Sequence, residues 1–276
     1  MMKSFVLGEV RPPTDEDFEY FKWVAVDQSQ WKKHHGKKHV CVYTRSTEVS
    51  NFKMIKVTAE ISDLSADVLY DTLHDPDYRA IWDKTMRESS EICTVAHNSR
   101  IEYHATVKAP FAFANRDFVL NRVWRINGNE YIIFNRSVFH KKMPPRKEYI
   151  RALTYLTGYL IVKTGPNTCN FVYVTQNDPR GDIPVWAINL GTKSLVPGLM
   201  KALHQAALRY PAWKEQHEPH FKPWRFAEQH DNNCPLLDMN DILNQPDLPK
   251  TRIDETNVNE SAALHEVEDE DLSDSE

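Results

Sequence analysis

Hydrophobic and polar positions change period several times along this chain, and each change marks an element. Thr14-Asp15-Glu16-Asp17 leads into Phe18, Phe21 and Trp23, the pattern of a capped helix with an aromatic face. Val40 to Tyr43 is a short apolar run that predicts a strand. Over Lys53 to Ile61, Ile55, Val57, Ala59 and Ile61 alternate with Met54, Lys56, Thr58 and Glu60, the period of a half-buried strand. The spacing then lengthens. Val68, Leu69 and Leu73 share the inward face of a helix that Ser65 can cap and that runs to about His74. Pro76 opens a second, short helix, because its missing N–H has no partner to lose at a first helical position.

Strand patterns fill the middle. Ile101, Tyr103, Ala105 and Val107 share one face, followed by runs at Phe118–Trp124, Tyr131–Arg136, Tyr149–Leu156, Gly158–Val162 and Cys169–Gln176. Asn127-Gly128-Asn129, Met143-Pro144-Pro145 and Thr164-Gly165-Pro166-Asn167 are turn signals between them. Strands joined this tightly are mostly antiparallel. From Pro184 to about Trp213 the pattern is helical, with Leu195, Leu199, Leu203, Ala207 and Tyr210 on one stripe and a kink expected at Pro197-Gly198. The order predicts an α+β domain over residues 14–225, in which a curved antiparallel sheet grips the last long helix. Residues 1–13 are an N-terminal extension, and the polar, acidic 226–276 reads as a disordered tail.

Charge sharpens the division. The 276 residues carry a formal charge of −5, but ten acidic residues and one basic residue between Thr251 and Glu276 put −9 in the tail. The remainder holds 33 basic against 29 acidic residues, or +4, which suits reversible contact with an anionic surface. That body has no concentrated basic stripe and no nucleic-acid module, so nucleic acid is not an expected partner. Cys41, Cys93, Cys169 and Cys234 are scattered without a C-x-x-C pair and suit free thiols in a reducing compartment. No segment has the length and apolarity of a signal peptide or a membrane span, so the expectation is a soluble, cytoplasmic protein.

Candidate chemistry is sparse. G-x-G-x-x-G, P-loop, G-x-S-x-G and H-E-x-x-H patterns do not occur. His217-Glu218-Pro219-His220 spaces two histidines like metal ligands, but Pro219 breaks the helix they would need; a surface turn is the reading, with no metal or other cofactor expected. Asp75, Asp77 and Asp83 could imitate an acid–base carboxylate pair, yet helix capping and ion pairing explain them more cheaply. Arg79 and Asp83 are the informative pair. Four residues apart on the short helix, they project from one face and can pair. Tyr78, Ile81 and Trp82 around them argue for burial. A guanidinium at an apolar cavity matches an anionic headgroup with apolar tails, because its planar fork fits phosphate. The alternative is an ordinary surface ion pair.

Three segments together resemble one family. Asp77-Tyr78-Arg79-Ala80-Ile81-Trp82-Asp83, Asn115-Arg116-Asp117-Phe118 and Asp182-Ile183-Pro184-Val185-Trp186-Ala187-Ile188-Asn189, in this order and spacing, resemble a START (StAR-related lipid-transfer) domain over Phe18 to Trp224. Pro144-Pro145-Arg146-Lys147, Tyr210-Pro211-Ala212-Trp213-Lys214 and Pro219-His220-Phe221-Lys222-Pro223-Trp224 place it in the phosphatidylcholine-transfer branch. The resemblance implies a helix-grip fold enclosing one lipid, with Arg79 on the lipid phosphate and Asp83 beside it. Aromatic residues of that branch cage the choline ammonium. Tyr155 matches one cage tyrosine and Phe118 replaces another, while Leu73 and Ala105 align with the remaining aromatics. A depleted cage implies that phosphatidylethanolamine is carried as well as phosphatidylcholine. Asn115-Arg116-Asp117 builds a loop beside the tunnel mouth, by direct lipid contact or as a polar network.

The implied function is a non-enzymatic carrier, monomeric, that exchanges one phospholipid between membranes. The last helix would be its lid, closing the tunnel with Leu195, Leu199 and Leu203 and turning Lys193, Lys201 and Arg209 to the membrane. A lipid-gated sensor or scaffold and a helix-grip enzyme remain alternatives, since fold does not decide function. Ser273 and Ser275 stand in the acidic context favoured by casein kinase 2, the expected kinase partner. Their phosphorylation is expected to lower membrane association.

Overall fold

The computed structural model describes residues 6–37, 40–106, 114–181, 183, 196–230 and 234–244. Helix α1 (Asp15–Val26) precedes strands β1 (Lys32–Lys37), β2 (Val40–Arg45) and β3 (Met54–Ile61). Helices α2 (Ala66–His74) and α3 (Pro76–Trp82) follow, then β4 (Met86–Ala96), β5 (Ser99–Thr106), β6 (Arg116–Asn127), β7 (Glu130–Ser137), β8 (Ile150–Arg151), β9 (Leu153–Gly165) and β10 (Thr168–Asp178). The chain closes on α4 (Val196–Glu215). The strands form one curved sheet in the order β1-β2-β3-β10-β9-β7-β6-β5-β4, antiparallel throughout, with β8 added parallel to β6. This is the α+β, helix-gripping sheet that the sequence predicts.

Alternation along the strands sorts two cores. Phe18, Phe21 and Val24 of α1 pack on Val123, Phe134, Leu156, Leu160 and Val174 on one face. On the other, Tyr131, Ile133, Ile161, Phe171 and Tyr173 meet Leu69 and Leu73 of α2 and Leu203 and Ala207 of α4. Gly158 lets α1 approach this closely: a Cβ there would stand 2.4 Å from the Ile133 carbonyl oxygen and 2.7 Å from the Phe21 ring.

Several boundaries differ from the sequence reading, each for a visible reason. β1 and β4 were not expected. They are the two outer strands of the sheet, β1 is Lys-Lys-His-His-Gly-Lys, and β4 carries exposed Arg87, Ser89, Ser90 and Glu91. Edge strands are held by their ladders rather than by an apolar face, so they show no period. The runs at 149–156 and 158–162 are not two strands: Gly158 is paired within β9, while Ile150–Arg151 separates as β8. Pro197 and Gly198 lie in the first turn of α4 and Pro211 sits inside the helix, while residues 184–195, the first part of the expected helix, lie outside the described residues. Leu195 and Lys193 lie outside the described residues.

The disordered-tail reading fails over its first part. Ala227–Gln229 forms a short 3-10 turn. Residues 234–244 then strap the sheet. Thr94 N donates to the Pro235 carbonyl and Leu237 N to the Thr94 carbonyl, both at 2.8 Å. Leu243 N donates to the Phe139 carbonyl at 2.9 Å. Leu237 and Ile242 cover a third core of Ile92, Cys93, Ile101, Tyr103 and Val119 on β4 to β6. Backbone pairing and two apolar anchors order a segment whose composition alone reads as solvated. Ser273 and Ser275 lie outside the described residues.

Candidate functional site

The site is built on α3, and α3 is bolted to α4. Asp75 caps α3 by accepting from Tyr78 N at 3.1 Å. Its other oxygen accepts from Tyr210 Oη at 3.0 Å and Lys214 Nζ at 2.9 Å on α4. Tyr78 Oη donates to the Ala206 carbonyl at 2.8 Å, and its ring lies 4.8 Å from Trp213. One face of α3 is thereby committed to α4, and the residue after Tyr78 is directed to the sheet.

That residue is Arg79. Its Nε lies 3.2 Å from Asp83 Oδ2, and among the described residues its two terminal amino groups have no protein partner. Asp83 is buried and keeps its geometry through Thr85, whose hydroxyl donates to Oδ1 at 2.6 Å. Arg79 thus presents an oriented fork to a cavity of about 430 Å³, lined by Leu73, Glu102, His104, Arg122, Trp124 and Trp224 among others. Across it, His104 Nε2 lies 2.9 Å from Glu102 Oε2, and Arg122 Nε is 3.9 Å from Glu102 Oε1. Arg122 is held in place by donating to the Leu73 carbonyl at 2.9 Å.

Burial pushes the Glu102 carboxyl up, but the His104 hydrogen bond and the Arg122 and Arg79 charges outweigh it and hold it below its ordinary value. Burial drives His104 the other way, below its ordinary value. A neutral His104 facing an ionised carboxylate must donate from Nε2, which leaves Nδ1 as an acceptor. Among the described residues, Nδ1 of His104 is buried without a hydrogen-bond partner. The arrangement has no nucleophile–base pair, and no cluster of metal-ligating side chains occurs among the described residues. It offers a fork for an oxyanion and, opposite, unspent acceptors.

The model of the START domain family matches residues 14–214. The chain belongs to the START-domain family. START domain-containing protein 10 of Mus musculus is 38% identical over 253 residues, covering 91% of this chain and 86% of the relative. Phosphatidylcholine transfer protein of Homo sapiens is 30% identical over 176 residues, 62% of this chain and 80% of the relative. The crystal structure of human STARD10 superposes with a TM-score of 0.79 at 35% identity, covering 90% of this chain and 97% of that one.

Within this START domain the residues singled out from sequence divide three ways. Arg79 pairs with Asp83, and Arg79 and Leu73 line the cavity. Phe118 is half-buried opposite His104 and shares the strand face of Arg122 and Trp124. Tyr155 is the extra residue of an irregularity in β9, where Gln176 pairs Leu156 and Asn177 pairs Thr154. Leu203 is buried and Leu199 half-buried on α4, while Lys201 and Arg209 are exposed. Ala105 does not belong to the site. It lies in the third core with Tyr103 and Val119, on the face opposite Glu102 and His104. Arg116 donates to the Pro179 and Arg180 carbonyls at 3.1 and 3.0 Å, and Asp117 holds Arg151 through two bonds of 2.8 and 2.9 Å. That is the polar-network role for Asn115-Arg116-Asp117. Glu102, His104 and Arg122 escaped the sequence reading; the alternation that marked Ile101, Tyr103 and Ala105 also placed their neighbours on the other face.

Proposed function

We propose that this START domain is a non-enzymatic carrier that binds one phosphatidylcholine or phosphatidylethanolamine and exchanges it between membranes. The observation that carries the reading is the Arg79 fork, oriented by Asp83, on a helix capped by Asp75, opening on a cavity where charged side chains alternate with Leu73, Met86, Trp124 and Trp224. A curated relative named phosphatidylcholine transfer protein supports the ligand class. Arg79, Asp83, Phe118 and Tyr155 would surround the headgroup. Leu199 and Leu203 on α4 would close over the acyl chains, whose burial is worth about 0.8 kcal/mol per CH₂. The carrier would work as a cytoplasmic monomer that docks on membranes reversibly. Native mass spectrometry of the purified protein is expected to show one intact diacyl phospholipid per chain, and vesicle-to-vesicle assays to show its transfer. Protein that neither retains nor transfers phospholipid would overturn this function.

The acidic tail would regulate docking. It leaves the described structure next to Asp241, which pairs with Lys142 at 3.2 Å, beside exposed Lys141, Arg146 and Lys147. Phosphorylation of Ser273 and Ser275 by casein kinase 2 would add roughly −1.5 to −2 charge each. The added charge repels anionic bilayers or draws the tail onto those basic residues, and both effects weaken with salt. Ser273→Glu is expected to bind anionic vesicles more weakly than Ser273→Ala at low salt, with the gap narrowing at physiological salt. Equal binding at both salts would leave the tail no switching role.

A further inference from the structure

We infer that Glu102 reads the headgroup amine, so that this site prefers a primary ammonium over a quaternary one. The inference rests on the phospholipid-carrier reading. Arg79, Arg100, Arg122 and Lys214 line one cavity with Asp75, Asp77, Glu91 and Glu102, four cations against four anions, and Asp83 pairs with Arg79 from behind that lining. A balanced set suits a headgroup that is itself zwitterionic. Arg79 offers its fork to the phosphate, and the remaining positive group of such a headgroup sits two carbons from a phosphate oxygen. On the wall facing Arg79, Glu102 is the carboxylate whose hydrogen-bonding capacity is not exhausted. Its Oε2 accepts from His104, but Oε1 stands 3.9 Å from Arg122 Nε, beyond hydrogen-bond length. His104, which lines the same wall, has a buried, unpartnered Nδ1 just behind it.

Unspent buried acceptors favour a ligand that brings donors. A primary ammonium brings three N–H groups and forms charge-assisted hydrogen bonds to the carboxylate. A trimethylammonium keeps the charge but has no N–H, so the acceptors stay desolvated and unmet. Sites built to hydrogen-bond a polar group discriminate against analogues that lack it far more sharply than apolar pockets discriminate by size. Phe118, the aromatic on this face opposite His104, supplies the weaker cation–π alternative for the methylated amine. Discrimination therefore comes from Glu102 rather than from the aromatic residues alone.

The test incubates the full chain with vesicles holding equal amounts of phosphatidylethanolamine, its N-methyl and N,N-dimethyl derivatives, and phosphatidylcholine, all with the same acyl chains. Bound lipid is then quantified by mass spectrometry. In the wild type the bound fraction should fall with each N–H removed, by about tenfold from the primary amine to phosphatidylcholine. Glu102→Gln should flatten the series, and Glu102→Asp, which keeps the charge but withdraws it, should reduce the slope without erasing it. A flat series in the wild type, or the same slope in all three proteins, would overturn the inference while leaving the carrier reading intact. So would a uniform loss of all four lipids in Glu102→Gln, the mark of a residue that merely steadies Arg122. If Glu102→Gln does not fold, the wild type and Glu102→Asp decide by the same criteria. A wild type that binds none of the four overturns the carrier reading and this inference with it.

Discussion

Arg79→Leu should abolish phospholipid transfer and leave a folded protein. The two halves of this expectation come from different energies. For folding, Arg79 contributes one ion pair within a helix, with its side chain 32% exposed, and such pairs are worth about 0.3–0.5 kcal/mol. Asp83 keeps both Thr85 hydrogen bonds when the guanidinium is gone. For binding, the same truncation strands a lipid phosphate in the cavity without a counter-charge. Removing one partner of a buried charge pair costs about 3–5 kcal/mol, and each 1.4 kcal/mol is about tenfold, so transfer should drop by at least a hundredfold. Vesicle transfer rates and a melting curve check both halves. Wild-type transfer would remove Arg79 from the headgroup site, and global unfolding would make it a structural residue.

Asp71→Asn should have the largest effect on stability. The Asp71 carboxylate is buried on α2 and accepts from Lys222 Nζ at 2.9 Å, Trp224 Nε1 at 2.8 Å and Arg225 Nε at 2.5 Å. The neutral amide takes the counter-ion from Lys222 and leaves Arg225 only Asp67, 3.1 Å from its Nη2, a loss of about 3 kcal/mol. At about 2–4 °C per kcal/mol for a domain of this size, the melting temperature should fall by about 10 °C. The damage also reaches the ligand cavity. Trp224 stacks on His74 with ring centroids 5.8 Å apart, and both line the cavity. Calorimetry on the apo protein measures the shift, and an unchanged melting temperature would show that the Lys222–Arg225 segment is held by other contacts.

Much of this molecule is legible in its sequence, and the failures share a cause. Pro76 and the four-residue spacing of Arg79 and Asp83 specify a helix and a side-chain pair locally, and the structure shows both. Ser65 was read as a cap and accepts from Val68 N at 3.2 Å. Non-local features were harder. β1 and β4 exist because a neighbour offers hydrogen bonds, which no property of their own side chains announces. Aligning Ala105 with a cage aromatic placed it at the site, yet neighbouring residues of one strand point to opposite faces, so the cavity instead receives His104 and Glu102. Those two were passed over because polar residues on an alternating strand are ordinarily the solvent half of the pattern. Here the polar half lines a cavity.

The strap across β4 and the segment that follows β7 determines where this protein can be divided. The family match ends at residue 214, and a fragment trimmed to that limit would lack Trp224, which is 8% exposed, and the partners of Asp71. A cut at Phe226 spares those groups but strips Leu237 and Ile242 from Ile92 and Tyr103, turning a core into a surface apolar patch of the kind that drives association. Any loss of membrane binding in such a fragment would mix charge removal with damage to the fold. Division after Asn244 separates the two, taking away the −9 of the last 26 residues while every strap hydrogen bond stays in place. A comparison of the chain cut after Asn244 with the intact chain therefore reads the charge of the extension with the strap left whole.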